Sequence, residues 1–155
     1  MSLKEEFEEK YGNQYTLRKC KENNCALKDI SQDYFIIDGD EIKESGDKSV
    51  DCIIIDLNVN EEDKYKIILC ELTKGKKDIQ DAIKRFQSSG KLIINRLKEM
   101  NKEVYSINCL FLGDITRNGK SIDKKVLILN DFFIDGLDKK NIIQNENCGF
   151  SITSL

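Results

Sequence analysis

Histidine is absent from the 155-residue chain, and so are tryptophan and proline. Without histidine there can be no Ser-His-Asp or Cys-His catalysis and no His-metal site. Any chemistry falls to carboxylates, lysines, cysteines or tyrosines. Arginine is scarce: Arg18, Arg85, Arg96 and Arg117 stand against 21 lysines. No window approaches the roughly 18 consecutive apolar residues of a membrane span. The longest apolar runs are four residues, as in Ile67-Ile68-Leu69-Cys70 and Cys52-Ile53-Ile54-Ile55. The start, Met1-Ser2-Leu3-Lys4-Glu5-Glu6, has neither a basic n-region nor an apolar h-region. The expectation is a cytoplasmic protein with no membrane partner.

The residues that are present describe one ordered domain. Hydrophobic residues make up 39% and charged residues 34%, enough for a core and a well-solvated surface. The length suits a single domain over 1–155. Twenty-five basic against 28 acidic residues give a net charge of −3. That balance argues against bulk nucleic-acid binding, though not against a local basic stripe beside an acidic pocket.

Six cysteines occur. Cys52, Cys70 and Cys109 lie inside apolar runs and read as small buried hydrophobes. With no secretory signal, a disulfide framework is not expected. Cys20 and Cys25 form Cys-x4-Cys in a polar stretch, and Cys148 has a similar setting. Three thiolates could hold zinc if a fourth ligand joined them; ordinary free thiols are the other reading.

Periodicity predicts a helix over 3–11, with Leu3, Phe7 and Tyr11 on one face and Gly12-Asn13 as its stop. Residues 14–31 are polar, with a short strand at 15–18. Strands are predicted at 34–37, 50–57 and 65–73, with turns at Asp38-Gly39-Asp40 and over 58–63. The strongest signal is a helix from about Lys77 to Asn101, in which Ile79, Ala82, Phe86, Ile93 and Leu97 hold the 3.6 period. A buried strand over 104–112 follows, then a break at Gly113-Asp114, a strand over 125–129, a short helix over 137–143 and an edge strand over 150–153. Residues 113–121 miss the GxxxxGK[ST] phosphate-loop spacing by one residue and read on as strand. Three strands joined by short loops form an antiparallel meander, and strand–helix–strand forms a right-handed parallel crossover. The fold class is α/β, with a mixed central sheet flanked by helices in the order αβββαβ plus C-terminal strands.

The pair 50–57 and 65–73 brings acids together. If the hairpin turns near Glu61, opposed residue numbers sum to about 122, so Ile53 faces Leu69, Ile55 faces Ile67 and Asp51 faces Glu71. Alternation puts both carboxylates at one end of one hydrophobic face. Adjacent carboxylates repel and raise each other's pKa unless a cation intervenes. Mg²⁺ or Mn²⁺ suits that role, held by one or two carboxylates together with waters and a phosphate. Lys74, Lys76 and Lys77 crowd the same end, where a lysine could orient water or meet a phosphate.

Val50-Asp51-Cys52-Ile53-Ile54 and Ile68-Leu69-Cys70-Glu71-Leu72-Thr73-Lys74, in the element order above, resemble the PD-(D/E)xK nuclease superfamily over residues 3–112. The resemblance implies a restriction-endonuclease-like core, hydrolysis of nucleic-acid phosphodiesters, and Asp51 and Glu71 as ligands of Mg²⁺ or Mn²⁺. It implies catalytic roles for Asp51, Glu71, Lys74 and Lys76. On the long helix it implies a nucleic-acid border formed by Lys77, Gln80 and Lys84, part of a polar stripe that continues through Gln87 and Lys91. It also implies an acid from the first helix, Glu8 or Glu9, and a homodimer.

The family's lysine stands two residues after the acid, and here that residue is Thr73. Three outcomes stay open. A bulge at Leu72–Thr73 turns Lys74 inward; Lys76 or Lys77 replaces it; or the site is degenerate and the domain is a binding or assembly module.

Overall fold

The computed structural model describes residues 1–61, 63–130, 132–137 and 142–155, with backbone alone for 59–61. Its elements are α1 (Leu3–Tyr11), β1 (Thr16–Leu17), β2 (Cys20–Glu22), β3 (Cys25–Leu27), β4 (Tyr34–Asp38), α2 (Gly39–Ile42), β5 (Cys52–Glu61), β6 (Lys64–Asp78), α3 (Ile79–Glu99), β7 (Glu103–Arg117), β8 (Lys120–Ser121), β9 (Val126–Ile128) and β10 (Ile142–Glu146). A 3-10 turn at Ile152–Ser154 follows.

Among the described residues, eight strands make one mixed sheet ordered β1-β4-β5-β6-β7-β10-β9, with β8 paired to β7. β4, β5 and β6 are antiparallel neighbours. β7 lies parallel to β6 after the α3 crossover, and β10 lies parallel to β7. Period-two alternation divides the core. Ile53, Ile55, Ile67 and Leu69 pack on one face with Phe7 of α1 and Phe86 and Ile93 of α3. Ile54, Ile68, Cys70 and Leu110 pack on the other with Cys20, Cys25, Leu27 and Ile152. No helix among the described residues is long and apolar enough to cross a membrane.

α1 forms where the period places it, with the Ser2 side chain accepting from Glu5 N–H as N-cap. α3 begins at Ile79, later than Lys77, because β6 runs on to Asp78, whose carboxylate caps the helix at Gln80 N–H. Asp38, expected in a simple turn, caps the short helix α2.

Several other expectations are corrected. Residues 20–27 form a two-stranded hairpin of their own, β2–β3. β5 continues through Asn58 to Glu61. Gly113-Asp114 does not break β7 but lies at an irregularity in its pairing with β6. Ile142 and Ile143 are strand, paired on both sides; residues 138–141 of that predicted helix lie outside the described residues. At 150–153 only Ser151 makes a bridge, to Lys28, and the chain then turns.

The cysteine reading changes most. Cys20 is bonded to Cys52 and Cys25 to Cys148. The thiols weighed as zinc ligands, Cys20, Cys25 and Cys148, are thus consumed as disulfides. Cys52 is a bridge partner rather than a free core thiol, while Cys70 and Cys109 are free and buried as expected.

Candidate functional site

The predicted register holds. Ile53 pairs with Leu69 and Ile55 with Ile67, and one step beyond the last pair, Cys52–Cys70, stand Asp51 and Glu71. Asp51 Oδ2 accepts from Leu72 N–H at 2.7 Å, so the β6 backbone fixes the carboxylate. On its other side Gly39 N–H donates to the Asp51 carbonyl at 3.0 Å. Only glycine allows that approach, because a Cβ on Gly39 would stand 1.9 Å from the Val50 carbonyl oxygen. From α3, buried Ser89 Oγ accepts from Val50 N–H at 2.9 Å and meets Ser49 Oγ at 2.8 Å. The start of β5 is therefore tied to the helix.

Glu71 is 1% exposed, and a carboxylate so buried requires compensation. Lys77 Nζ lies 2.6 Å from Oε2 and Arg85 Nε 3.3 Å from the same atom. Arg85 is itself held by Asp81 Oδ2 at 3.0 Å and the Ser49 carbonyl at 3.0 Å. Both cations converge on one oxygen. The other, Oε1, is buried with no partner among the described residues.

Asp51 lies within hydrogen-bonding reach of Glu71 on one side and Glu22 on the other. Burial chiefly pushes its carboxyl up to about 6, and the Glu71 charge adds to that. Glu22 is pushed up to about 7, first by its hydrogen bond to Asp51 and then by burial. Asp51 is thus the common neighbour of Glu22 and Glu71. Among the described residues no three such side chains close round a common point.

The hairpin brings Glu22 here. Cys20, two residues earlier, is bonded to Cys52, next to Asp51. From the C-terminal side Cys148, bonded to Cys25, directs its Sγ to the Thr73 carbonyl at 3.5 Å. Between these anchors lies a cavity of about 350 Å³ lined by Glu22, Asp51, Thr73, Lys74, Lys77 and Arg85.

Of the lysines weighed from the sequence, Lys77 reaches Glu71. The pairing runs from Leu72–Leu112 to Lys76–Asp114, so β6 takes four residue steps where β7 takes two. This bulge carries Lys74 to the exposed cavity rim, leaves Lys76 exposed and outside the lining, and turns Lys77 back onto Glu71. Gly113 fits beside the bulge with φ +127°; a Cβ there would stand 2.4 Å from the Thr73 carbonyl oxygen. Gln80 is exposed and does not line the cavity. Lys84 lines a separate groove with Gln87, Lys91 and Phe133. Glu8 accepts from Thr16 Oγ1, and neither it nor Glu9 lines the cavity.

Sequence reasoning missed Glu22 and Arg85. For Arg85 a signal existed, namely an arginine four residues after Asp81 on the long helix. For Glu22 there was none without the cysteine pairing.

No protein-family model, curated protein or solved structure matches the chain.

Proposed function

We propose that the chain is a metal-dependent nuclease-like domain that hydrolyses nucleic-acid phosphodiesters at the cavity that Asp51 lines, next to buried Glu71. The observation that carries this reading is Glu71 Oε1, a buried carboxylate oxygen without a partner, beside a second carboxylate in hydrogen-bonding reach. Two carboxylates fit a small hard cation whose remaining ligands are waters and phosphate oxygens, so Asp51 and Glu71 would hold Mg²⁺ or Mn²⁺. Such an ion lowers the pKa of bound water and neutralises charge developing on a phosphate. The chain's own groups supply the rest. The bulge presents Lys74 at the rim, where it can meet a phosphate oxygen. Lys77 and Arg85 fix the orientation of Glu71. Leu72 N–H fixes Asp51. The element order and the Asp51–Glu71 register support the restriction-endonuclease-like assignment.

A second reading has its own observation. Lys77 and Arg85 already neutralise Glu71, and Thr73 stands where the resemblance requires lysine. A domain so compensated would bind without cutting.

Calorimetric titration of Mn²⁺ into wild type and Asp51→Asn/Glu71→Gln tests the choice. Binding by wild type that is lost in the double variant, with Mn²⁺-dependent cleavage of nucleic acid, is the expected result. No Mn²⁺ binding, with or without nucleic acid, overturns the enzyme and leaves the binding module.

The homodimer implied by the same resemblance is tested separately, by light scattering. Disulfides persist in oxidising compartments and are rare in the cytoplasm, so the two bridges weigh against the cytoplasmic expectation.

A further inference from the structure

A second cleft, of about 420 Å³, opens on the hairpin side of the molecule. Its rim carries Arg18, Lys19, Lys21 and Lys28, with Asp29 as the only acid in the lining. The rim is thus net +3 within a chain of net charge −3. These four cations form no ion pair and no side-chain hydrogen bond among the described residues. Several basic side chains elsewhere pair with acids, Lys77 and Arg85 on Glu71, Lys48 on Asp81, Arg96 on Glu44 and Lys102 on Asp63, whereas the cleft gathers four cations round one acid. Unpaired like charges gathered in a concavity repel one another and focus a positive potential into it.

The floor is different in character. Leu27 is buried, and Ala26 and Ile30 are partly covered, so the cleft offers an apolar surface beneath a cationic rim. Its backbone is pinned on several sides. Cys20 is bonded to Cys52 and Cys25 to Cys148. Lys28 N–H donates to the Phe150 carbonyl at 2.9 Å, and Ile152 N–H to the Lys28 carbonyl at 3.0 Å. The volume lies within the roughly 300–1,000 Å³ of small-molecule sites.

We propose that this cleft binds a nucleotide unit, with its phosphates on Arg18, Lys19, Lys21 and Lys28 and its planar base over Ala26, Leu27 and Ile30. Concentrated negative charge matches four clustered cations, and phosphate oxygens accept from guanidinium and ammonium donors together. A planar ring matches the apolar floor, and the Arg18 guanidinium is suited to stack on it. The site is separate from the carboxylate cavity, and its occupancy does not depend on metal at Asp51 and Glu71.

Calorimetry in the presence of a chelator, so that no divalent ion contributes, tests the cleft with three probes: a nucleoside diphosphate, inorganic phosphate and a short single-stranded oligonucleotide. The expected result is saturable binding of the nucleotide or the strand, tighter than inorganic phosphate. Arg18→Glu/Lys21→Glu should weaken it about tenfold or more. The exposed pair Lys4→Glu/Lys98→Glu changes the net charge equally and should weaken it less than about twofold. Binding of the free nucleotide identifies a small-molecule ligand, and binding of the strand alone identifies a nucleotide read within a chain. Equal weakening by both charge reversals, or no probe bound more tightly than phosphate, overturns the inference. Binding lost in Asp51→Asn/Glu71→Gln but kept in Arg18→Glu/Lys21→Glu also overturns it, and leaves the nuclease reading standing.

Discussion

Lys77 Nζ lies 2.6 Å from Glu71 Oε2 although six residues separate the two along the same strand. The bulge between Leu72 and Lys76 shortens that path. Lys77→Met should therefore act on both fold and site. Arg85 still meets Glu71 at 3.3 Å, so the loss of stability should be roughly 1–3 kcal/mol, below that of a fully uncompensated buried charge. Metal-dependent cleavage should fall about a hundredfold through the disturbed carboxylate. Lys74→Met, at an exposed rim position, should leave the urea midpoint unchanged and lower cleavage by less. If cleavage depends on Lys74 and not on Lys77, the Lys77–Glu71 contact is a packing device only.

Stability of the metal-free protein should fall as pH rises from about 4 to about 7. Asp51 is pushed up to about 6 from 3.8, and Glu22 up to about 7 from 4.5. Both folded values exceed the unfolded ones, so the native state holds protons that the unfolded chain has released. The native advantage is complete below the unfolded values and is lost as pH climbs through the folded ones. Glu22→Gln should flatten the profile. Urea midpoints across that window measure it, and a midpoint rising through the window in wild type would contradict the assignment.

Thiol chemistry separates the disulfides from a zinc site. Native, unreduced protein should take up no iodoacetamide, because four cysteines are bridged and the Cys70 and Cys109 thiols are buried and pushed up chiefly by that burial. Unfolded without reductant, it should be alkylated at Cys70 and Cys109 alone. Peptide mapping checks the pairs. Cys25→Ser/Cys148→Ser should cost roughly 3–5 kcal/mol, since that bridge closes the longer loop. Zinc found by elemental analysis, with six reactive thiols after unfolding, would reverse the assignment.

Ser89→Ala should destabilise by roughly 1–3 kcal/mol despite removing a single oxygen. Ser89 Oγ is the acceptor for buried Val50 N–H and the partner of buried Ser49 Oγ; its loss leaves the Val50 N–H unsatisfied, at a desolvation cost, and leaves Ser49 Oγ its bond to the Val50 carbonyl. Because Val50 precedes Asp51, Mn²⁺ affinity should fall with it. A thermal melt and a Mn²⁺ titration on one variant check both effects.

Much of this architecture could be read from hydrophobic pattern. Ile53, Ile55, Ile67 and Leu69 are buried on one face and Ile54, Ile68 and Cys70 on the other, so both apolar runs were legible as strands. The meeting of Asp51 and Glu71 was read from pairing those runs about a turn between them. The α3 period was equally legible, because Ile79, Phe86, Ile93 and Leu97 are buried on one face. The polar ends of β6 and β7 were not. Lys74, Gly75 and Lys76 have no core-facing pattern, and their extended form comes from pairing with β7 across a bulge. The β2–β3 hairpin was illegible for another reason. Its strands are three residues each, too short for periodicity, and its position depends on covalent links to Cys52 and Cys148. Glu22 and the basic cleft were hidden with it.

The 123-residue separation of Cys25 from Cys148 sets an order of events on the ribosome. At roughly 5–20 residues per second, the second thiol of that bridge emerges on the order of ten seconds after the first. By then β4, β5, β6, α3 and β7 are all outside the exit tunnel and free to pair. Cys52 follows Cys20 far sooner, so the tether on the arm bearing Glu22 can close early, whereas its second clasp must wait for Cys148. A chain stalled before Cys148 would present Asp51 and Glu71 with that arm held by a single bond.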